Sequence, residues 1–205
     1  MSNPIQKLAD MFADFPGIGA RQSKRFVYFL LSCDKAYLDE LANLIISVKK
    51  RITQCPECFR YFEHDNHDHC ERCEKLSIDR TTIMVVEKDA DVDQVSASGA
   101  YNGLFFVFGG LVPIVEKETS NRIRINELQK RIARDIADNK LKEVILGFSL
   151  SREGDYTDTY VRDELRTLLE NTSVRLSSLG RGLSTGTELE YSDSETLRNA
   201  FTNRH

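Results

Sequence analysis

Four cysteines fall in two pairs of equal spacing, Cys55-x2-Cys58 and Cys70-x2-Cys73, within CPECFRYFEHDNHDHCERC. A pair so spaced brings two thiolates to one cation. Two pairs close a tetrahedral shell, so the pattern points to structural Zn²⁺ with no coordination position left for a reactive water. The alternatives are two disulfides or an inert thiol cluster. The N-terminus MSNPIQKLADMF has neither a basic n-region nor an uninterrupted apolar stretch, so a reducing cytosol is expected and disulfides are disfavoured. His64, His67 and His69 lie in the same polar loop and are expected to be solvated rather than to replace a sulfur. Cys33, near the end of an apolar helix, is expected in the core.

A second group of residues suits a phosphate. In FPGIGARQSKRF, Gly17 and Gly19 permit a tight turn whose backbone N–H groups open onto a helix N-terminus. Arg21 and Arg25 stand four apart on one face of that helix with Lys24 beside them. Such a surface would hold a nucleic-acid backbone without reading bases. An ordinary glycine turn followed by a solvated basic face explains the same residues equally well, because a short G-x-G turn is a weak motif.

A third group is acidic. LGFSLSREGDYTDTYV, Leu146 to Val161, runs from an apolar strand through a turn carrying Glu153 and Asp155 into a helix. Open α/β sheets place ligands and metals at such positions. Dipole stabilisation near a helix N-terminus accounts for the same acids without any ligand.

The elements that position these groups follow from periodicity. Helices are expected over about Pro4 to Asp14, Ala20 to Ser32 and Ala36 to Thr53, the last with Leu38, Leu41, Leu44, Ile45 and Val48 on one face. Beyond the cysteines the period changes. TIMVVE, GLFFVFGG, EVILGF and SVRLSS read as strands, and about Ala90 to Ser98, Asn126 to Asn139 and Thr157 to Asn171 as helices between and after them. The alternation implies a mostly parallel, buried sheet, and the fold class is α+β with several modules. The tail carries Gly180, Gly182 and Gly186, then Ser192 or Asp193 as the cap of a last short helix.

Bulk composition narrows the function. At 40% hydrophobic and 29% charged residues the chain is ordinary for a globular protein, and no apolar run reaches the roughly 20 residues a membrane span needs. The formal charge of -4 argues against a uniformly basic nucleic-acid binder, but residues 1–54 carry a local excess of Lys and Arg over Asp and Glu. Any nucleic-acid contact is therefore expected in that third.

The PGIG hairpin, the four-cysteine knuckle, the strand ending VVE at Glu87, the EGD turn and the tail RGLSTGTELEYSDSETL together resemble, in that order, the RecR family of bacterial recombination mediators. The resemblance covers nearly the whole chain. It implies a helix-hairpin-helix DNA-binding region at 1–54, a C4 zinc finger at 55–80, a Toprim domain at 81–175, and a Walker-B-like tail and oligomerisation segment at 176–205. It implies a non-enzymatic DNA clamp that assembles as dimers or ring-like tetramers and works with RecO and RecF to load RecA at gapped DNA, in the cytoplasm beside the nucleoid. By this resemblance Arg21 and Arg25 correspond to hairpin positions that face DNA, beside Lys24, Gly17 and Gly19 of the same hairpin, and Cys55, Cys58, Cys70 and Cys73 correspond to the zinc ligands. Two departures stand out: IVEKETSNRIRI replaces the usual glycine-rich loop, and Phe106 stands where a histidine is common.

Toprim enzymes hold Mg²⁺ with a glutamate after the first strand and a later D-x-D. Glu87 matches that glutamate, but aligned on REGD the D-x-D positions fall on Ser149 and Ser151, neutral hydroxyls that supply no anionic oxygen. Glu87, Glu153 and Asp155 remain as a weak-cation site or an acidic surface for a basic partner. The rival reading is an Mg²⁺-dependent enzyme that nicks or cleaves DNA with these three acids. A nucleotide-binding tail ranks last, since its glycines do not form a phosphate loop with a lysine. No convincing tyrosine nucleophile is present: Tyr156 and Tyr160 follow the acids, and Tyr160 is expected to pack on the sheet.

Overall fold

Asn3 accepts a hydrogen bond from the Ile5 N–H at 3.0 Å and Pro4 supplies the fixed φ of a first helical position, so α1 (Pro4–Ala13) begins there. In this computed structural model residues 3–115, 123–180, 182, 183, 186 and 188–202 are described. The chain forms two units, Met1–Thr53 and Gln54–His205.

In the first unit the chain reverses over Phe15-Pro16-Gly17-Ile18. The Ile18 N–H donates to the Phe15 carbonyl at 3.0 Å and Gly17 has φ 77°, a type II turn with proline and glycine where that turn favours them. α2 (Ala20–Ser32) returns along α1, burying Ala9 and Val27 and setting Phe12 edge-on to Phe26 at 5.8 Å between ring centroids. α3 (Lys35–Arg51) starts at Asp34, whose carboxylate accepts from the Tyr37 N–H at 2.8 Å. Its last turn carries Lys49, Lys50 and Arg51 against the negative end of the helix dipole. The shared apolar face of α3 is not a core: Leu38 and Leu41 are half-buried, while Leu44, Ile45 and Val48 are exposed, Ile45 by 64%. Cys33 is likewise not a core residue. It caps α2 half-buried, its thiol donating to the Phe29 carbonyl at 3.3 Å, because the helix ends there and turns the side chain outward.

The boundary between the units falls inside β1 (Ile52–Gln54), which pairs with β2 (Tyr61–Glu63) around the cysteine loop; α4 (Glu71–Glu74) follows the second cysteine pair. The second unit then alternates β3 (Asp79–Val86), α5 (Asp89–Ser98), β4 (Gly103–Val107), α6 (Ile125–Ala137), β5 (Glu143–Gly147), α7 (Arg152–Leu169) and β6 (Arg175–Ser178). The sheet has order β4-β3-β5-β6 with every pairing parallel. Parallel strands must be covered on both faces, and the strand sequences comply. Ile83, Val85, Leu104 and Phe106 point to one side with Leu128 and Ile132 of α6 and Val161 and Leu165 of α7, while Met84, Val86, Phe105 and Val107 point to the other with Val92 of α5. The connection from β3 to β4 moves one way along the sheet and the later ones move the other way. Crossovers of one hand therefore put α5 opposite α6 and α7. α8 (Ser194–Thr202) ends the described chain, with the Asp193 carboxylate accepting from the Thr196 N–H at 2.9 Å. Residues 116–122 of the divergent loop, and Arg181 with several neighbours in the tail, lie outside the described residues.

The cysteine loop is fastened to this sheet along its β4 edge. The Val107 N–H donates to the Cys58 carbonyl at 2.8 Å, and Phe59, at φ 60°, sets its ring edge-on to Phe106 with centroids 5.3 Å apart. The departure at Phe106 thus fills a completely buried apolar position. Arg72 donates to the Gly103 carbonyl at 2.9 Å and the Tyr101 carbonyl at 3.1 Å, with its guanidinium 4.5 Å from the Phe105 ring centroid. Arg131 does the same from α6: it pairs with Asp135 at 2.7 Å and Glu57 at 2.5 Å, and donates to the Glu57 carbonyl at 2.9 Å. Burial alone would raise the Glu57 pKa, but the hydrogen bond from Arg134 and the charges of Arg131 and Arg134 bring it below the usual carboxylate value.

The side chains of Arg131 and Asp135 are each only 9% exposed, so removing the cation strands a buried carboxylate. Arg131→Ala is expected to lower unfolding free energy by about 3–5 kcal/mol in urea titrations. A loss below about 1 kcal/mol would show that the cluster is as weak as a surface ion pair.

Candidate nucleic-acid interface and metal centre

On α2, burial of Ser23 and Val27 fixes the orientation of the helix, and Arg21, Lys24 and Arg25 fall on exposed positions. Their side chains are solvated, and Arg25 donates to the Gln22 amide oxygen at 3.3 Å. Gly19 is the N-cap and brings no side chain, so the first turn of α2 has no side-chain cap competing for its N–H groups. The two glycines act differently. Gly17 needs its positive φ, whereas Gly19 is extended at φ -84° and matters for what it leaves open.

In the second unit Cys55, Cys58, Cys70 and Cys73 bring their sulfurs within 4.8 Å of one another, and the first three are buried. Among the described residues this is the only set of three or more Cys, His, Asp or Glu so gathered. A tetrahedron of sulfurs about 2.3 Å from a central ion has edges of about 3.8 Å. The Cys58 to Cys70 separation of 3.5 Å fits that figure. The Cys55 thiol is drawn toward thiolate by its hydrogen bond with Cys58, which is pushed toward keeping its proton by the same bond. The histidines stay outside: His67 pairs with Glu74 at 2.9 Å, and His64 meets the His67 carbonyl at 2.8 Å.

The acids of the REGD stretch sit on a helix, not in a turn. α7 starts at Arg152, five residues ahead of the expected Thr157, because Ser151 caps it by accepting from the Gly154 N–H at 3.0 Å. Ser149 hydrogen-bonds Ser151 at 3.1 Å. A Cβ on Gly154 would stand 1.9 Å from the Ser149 carbonyl oxygen, so only glycine lets the helix start this close to the strand end. Glu153 and Asp155 occupy the first turn, where the dipole favours them. Thr157, fully buried, donates to the Glu153 carbonyl at 2.7 Å and accepts from the Val112 N–H at 2.8 Å, tying the loop after β4 to α7.

Glu87 lies apart from these acids in the crevice between the C-terminal ends of β3 and β5, where the strand order reverses. It lines a cavity of about 230 Å³ with Asp91, Gln94 and Ser149, and its carboxylate is 3.7 Å from the Lys88 ammonium. Glu153 and Asp155 do not line that cavity. The two positions that would complete a metal cage carry hydroxyls, one of which is committed to capping. Tyr160 packs against the core as expected, and burial pushes its phenol pKa up. Arg72, Arg131 and Thr157 gave no local signal in the sequence, apart from the four-residue spacing of Arg131 and Asp135.

A parallel sheet of this order, with a glutamate after its first strand, defines the Toprim class, and residues 81–179 match the Toprim domain. Residues 182–205 match the family described as RecR, C-terminal. The recombination protein RecR of Bacteroides thetaiotaomicron is 34% identical over 200 residues, which cover 98% of this chain and 92% of that protein. RecR of Phocaeicola vulgatus is 33% identical over 200 residues with the same coverage, and RecR of Chloroherpeton thalassium 30% over 203 residues, 99% and 97% of the two chains. The chain belongs to the RecR family of recombination proteins. Among the described residues no helix is long and apolar enough to cross a membrane.

Metal removal tests the cysteine centre. Because the cation and the buried sulfurs stabilise one another, verified chelation is expected to lower the melting temperature and increase proteolysis between residues 55 and 75. An unchanged melting temperature would remove the structural role.

Proposed function

We propose that this protein is a non-enzymatic DNA-binding clamp and adaptor in recombinational DNA repair, acting with RecO and RecF to load RecA at gapped DNA in the cytoplasm. Family membership over 98% of the chain carries this reading. The exposed basic face of α2, beside an open helix N-terminus, supports DNA contact through Arg21, Lys24, Arg25, Gly17 and Gly19. The cation at Cys55, Cys58, Cys70 and Cys73 is zinc, by the preference of an all-thiolate tetrahedron. Glu87, Glu153 and Asp155 offer acidic surface to a basic partner rather than a catalytic cage. Serine at both D-x-D positions argues against Mg²⁺-dependent cleavage, since Mg²⁺ is held by carboxylates at near-ideal octahedral geometry.

Assembly is the second part of the proposal. Leu44, Ile45, Ile46 and Val48 are each more than half exposed, and uncovered apolar surface of that extent is characteristic of interaction sites. A second copy of the chain is the occupant that a clamp requires. Ile45→Asp is expected to lower the mass measured by sedimentation equilibrium without loss of helicity, and an unchanged mass would exclude this face.

The DNA contact is tested by fluorescence anisotropy of a labelled single-strand/double-strand junction at low and moderate salt. Arg21→Ala combined with Arg25→Ala is expected to weaken binding at least tenfold and to flatten its salt dependence, with little effect of base sequence. Equal binding by the variant and the unaltered protein, both folded, would move the contact elsewhere.

A further inference from the structure

The side of the cysteine loop that faces α6 borders an open cleft of about 280 Å³ lined by Arg80, Arg131, Arg134 and Lys140 as cations and Glu57, Asp135 and Asp138 as anions. Every anion has a cation in contact: Glu57 with Arg131 at 2.5 Å, Asp135 with Arg131 at 2.7 Å, and Asp138 with Lys140 at 2.6 Å. Arg80 is the charge left over. It donates one bond, to the Cys73 carbonyl at 2.7 Å, and among the described residues it has no ion pair. A guanidinium has five N–H donors in a fixed fork, so donors remain for a further acceptor. With each water taking about 30 Å³ of liquid volume, the space holds several waters or one tetrahedral oxyanion.

We propose that this cleft binds a phosphate group, with Arg80 supplying the fork and Lys140 a point charge at the rim. The arrangement suits phosphate for three reasons. The donors come from Arg80, whose guanidinium is already anchored at one end by the Cys73 carbonyl, so part of the side-chain entropy is lost before binding. Glu57 and Asp135 are held by Arg131, which keeps their charge from filling the role of the ligand. A planar fork next to an ammonium matches three phosphate oxygens better than the two of a carboxylate. The phosphate belongs either to a nucleic-acid chain or to a free phosphate or nucleotide. The site lies in the second unit and does not depend on whether DNA also binds the α2 hairpin.

Isothermal titration of the full chain with inorganic phosphate tests it, using sodium acetate as the control anion. One saturable site per chain is expected, about tenfold weaker in Arg80→Ala and severalfold tighter in Asp138→Asn, which frees Lys140 without changing side-chain shape. Arg80→Lys, which retains charge but loses the fork, falls between. Metal content and circular dichroism establish that each variant is folded, and opposite shifts in Arg80→Ala and Asp138→Asn cannot both come from misfolding. No saturable phosphate binding, equal affinity in all variants, or equal binding of acetate overturns the proposal. Anisotropy of a labelled oligonucleotide on the Arg21→Ala, Arg25→Ala protein then separates the sources. Residual binding displaced by phosphate and lost on adding Arg80→Ala assigns the site to a nucleic-acid phosphate, and phosphate binding without it assigns free phosphate.

Discussion

The fold of the second unit depends on one buried cation. Arg131 sits on α6, is 9% exposed, and joins a carboxylate of its own helix to both the side chain and the backbone of Glu57, which lies between two metal-binding cysteines. Such a charge costs several kcal/mol to desolvate, a cost offset only by close pairing and further hydrogen bonds. Here they fix where the cysteine loop rests. That position in turn lets Phe59 pack on Phe106 and lets the Cys58 carbonyl pair with the edge strand β4, so an otherwise open sheet edge is covered. The four sulfurs converge on a loop that this salt bridge holds from outside.

A second constraint acts at the C-terminal end of the sheet. A Toprim enzyme uses that end for a metal cage, and the crevice between β3 and β5 persists with Glu87 in it. What has changed is the next strand end. Ser151 caps α7 and Ser149 supports it, while Gly154 allows the helix to begin against the Ser149 carbonyl. Capping needs a neutral or anionic acceptor of modest size, and a serine performs it without adding the second and third carboxylates a divalent ion requires. The same residues therefore give a stable helix start and place neutral hydroxyls at this strand end.

Much of this was legible in the sequence because it is encoded at short range. The type II turn at Phe15–Ile18, the span Ala20–Ser32 and the paired cysteine spacing depend on neighbours a few residues apart, and the alternating strand faces on a period of two. EGD reads as a turn and so places the start of α7 too late; only the capping hydroxyl of Ser151, with space for Gly154, shows that the helix has already begun. The apolar face of α3 was identified, yet periodicity does not say what covers it, and within one chain it stays exposed. Arg72 and Arg131 carry no sequence signal toward Gly103 and Glu57, which lie 31 and 74 residues away, beyond any spacing rule.

In the proposed role, DNA meets the hairpin of the first unit while the end of the sheet stays free for proteins. Hydrogen-exchange mass spectrometry with and without a gapped duplex addresses it directly. Slower exchange is predicted over residues 14–26, where the turn and the first half of α2 lie, with no change over 146–156. Protection over 146–156 with none at the hairpin would contradict the account and return the sheet end to the role of a nucleic-acid site.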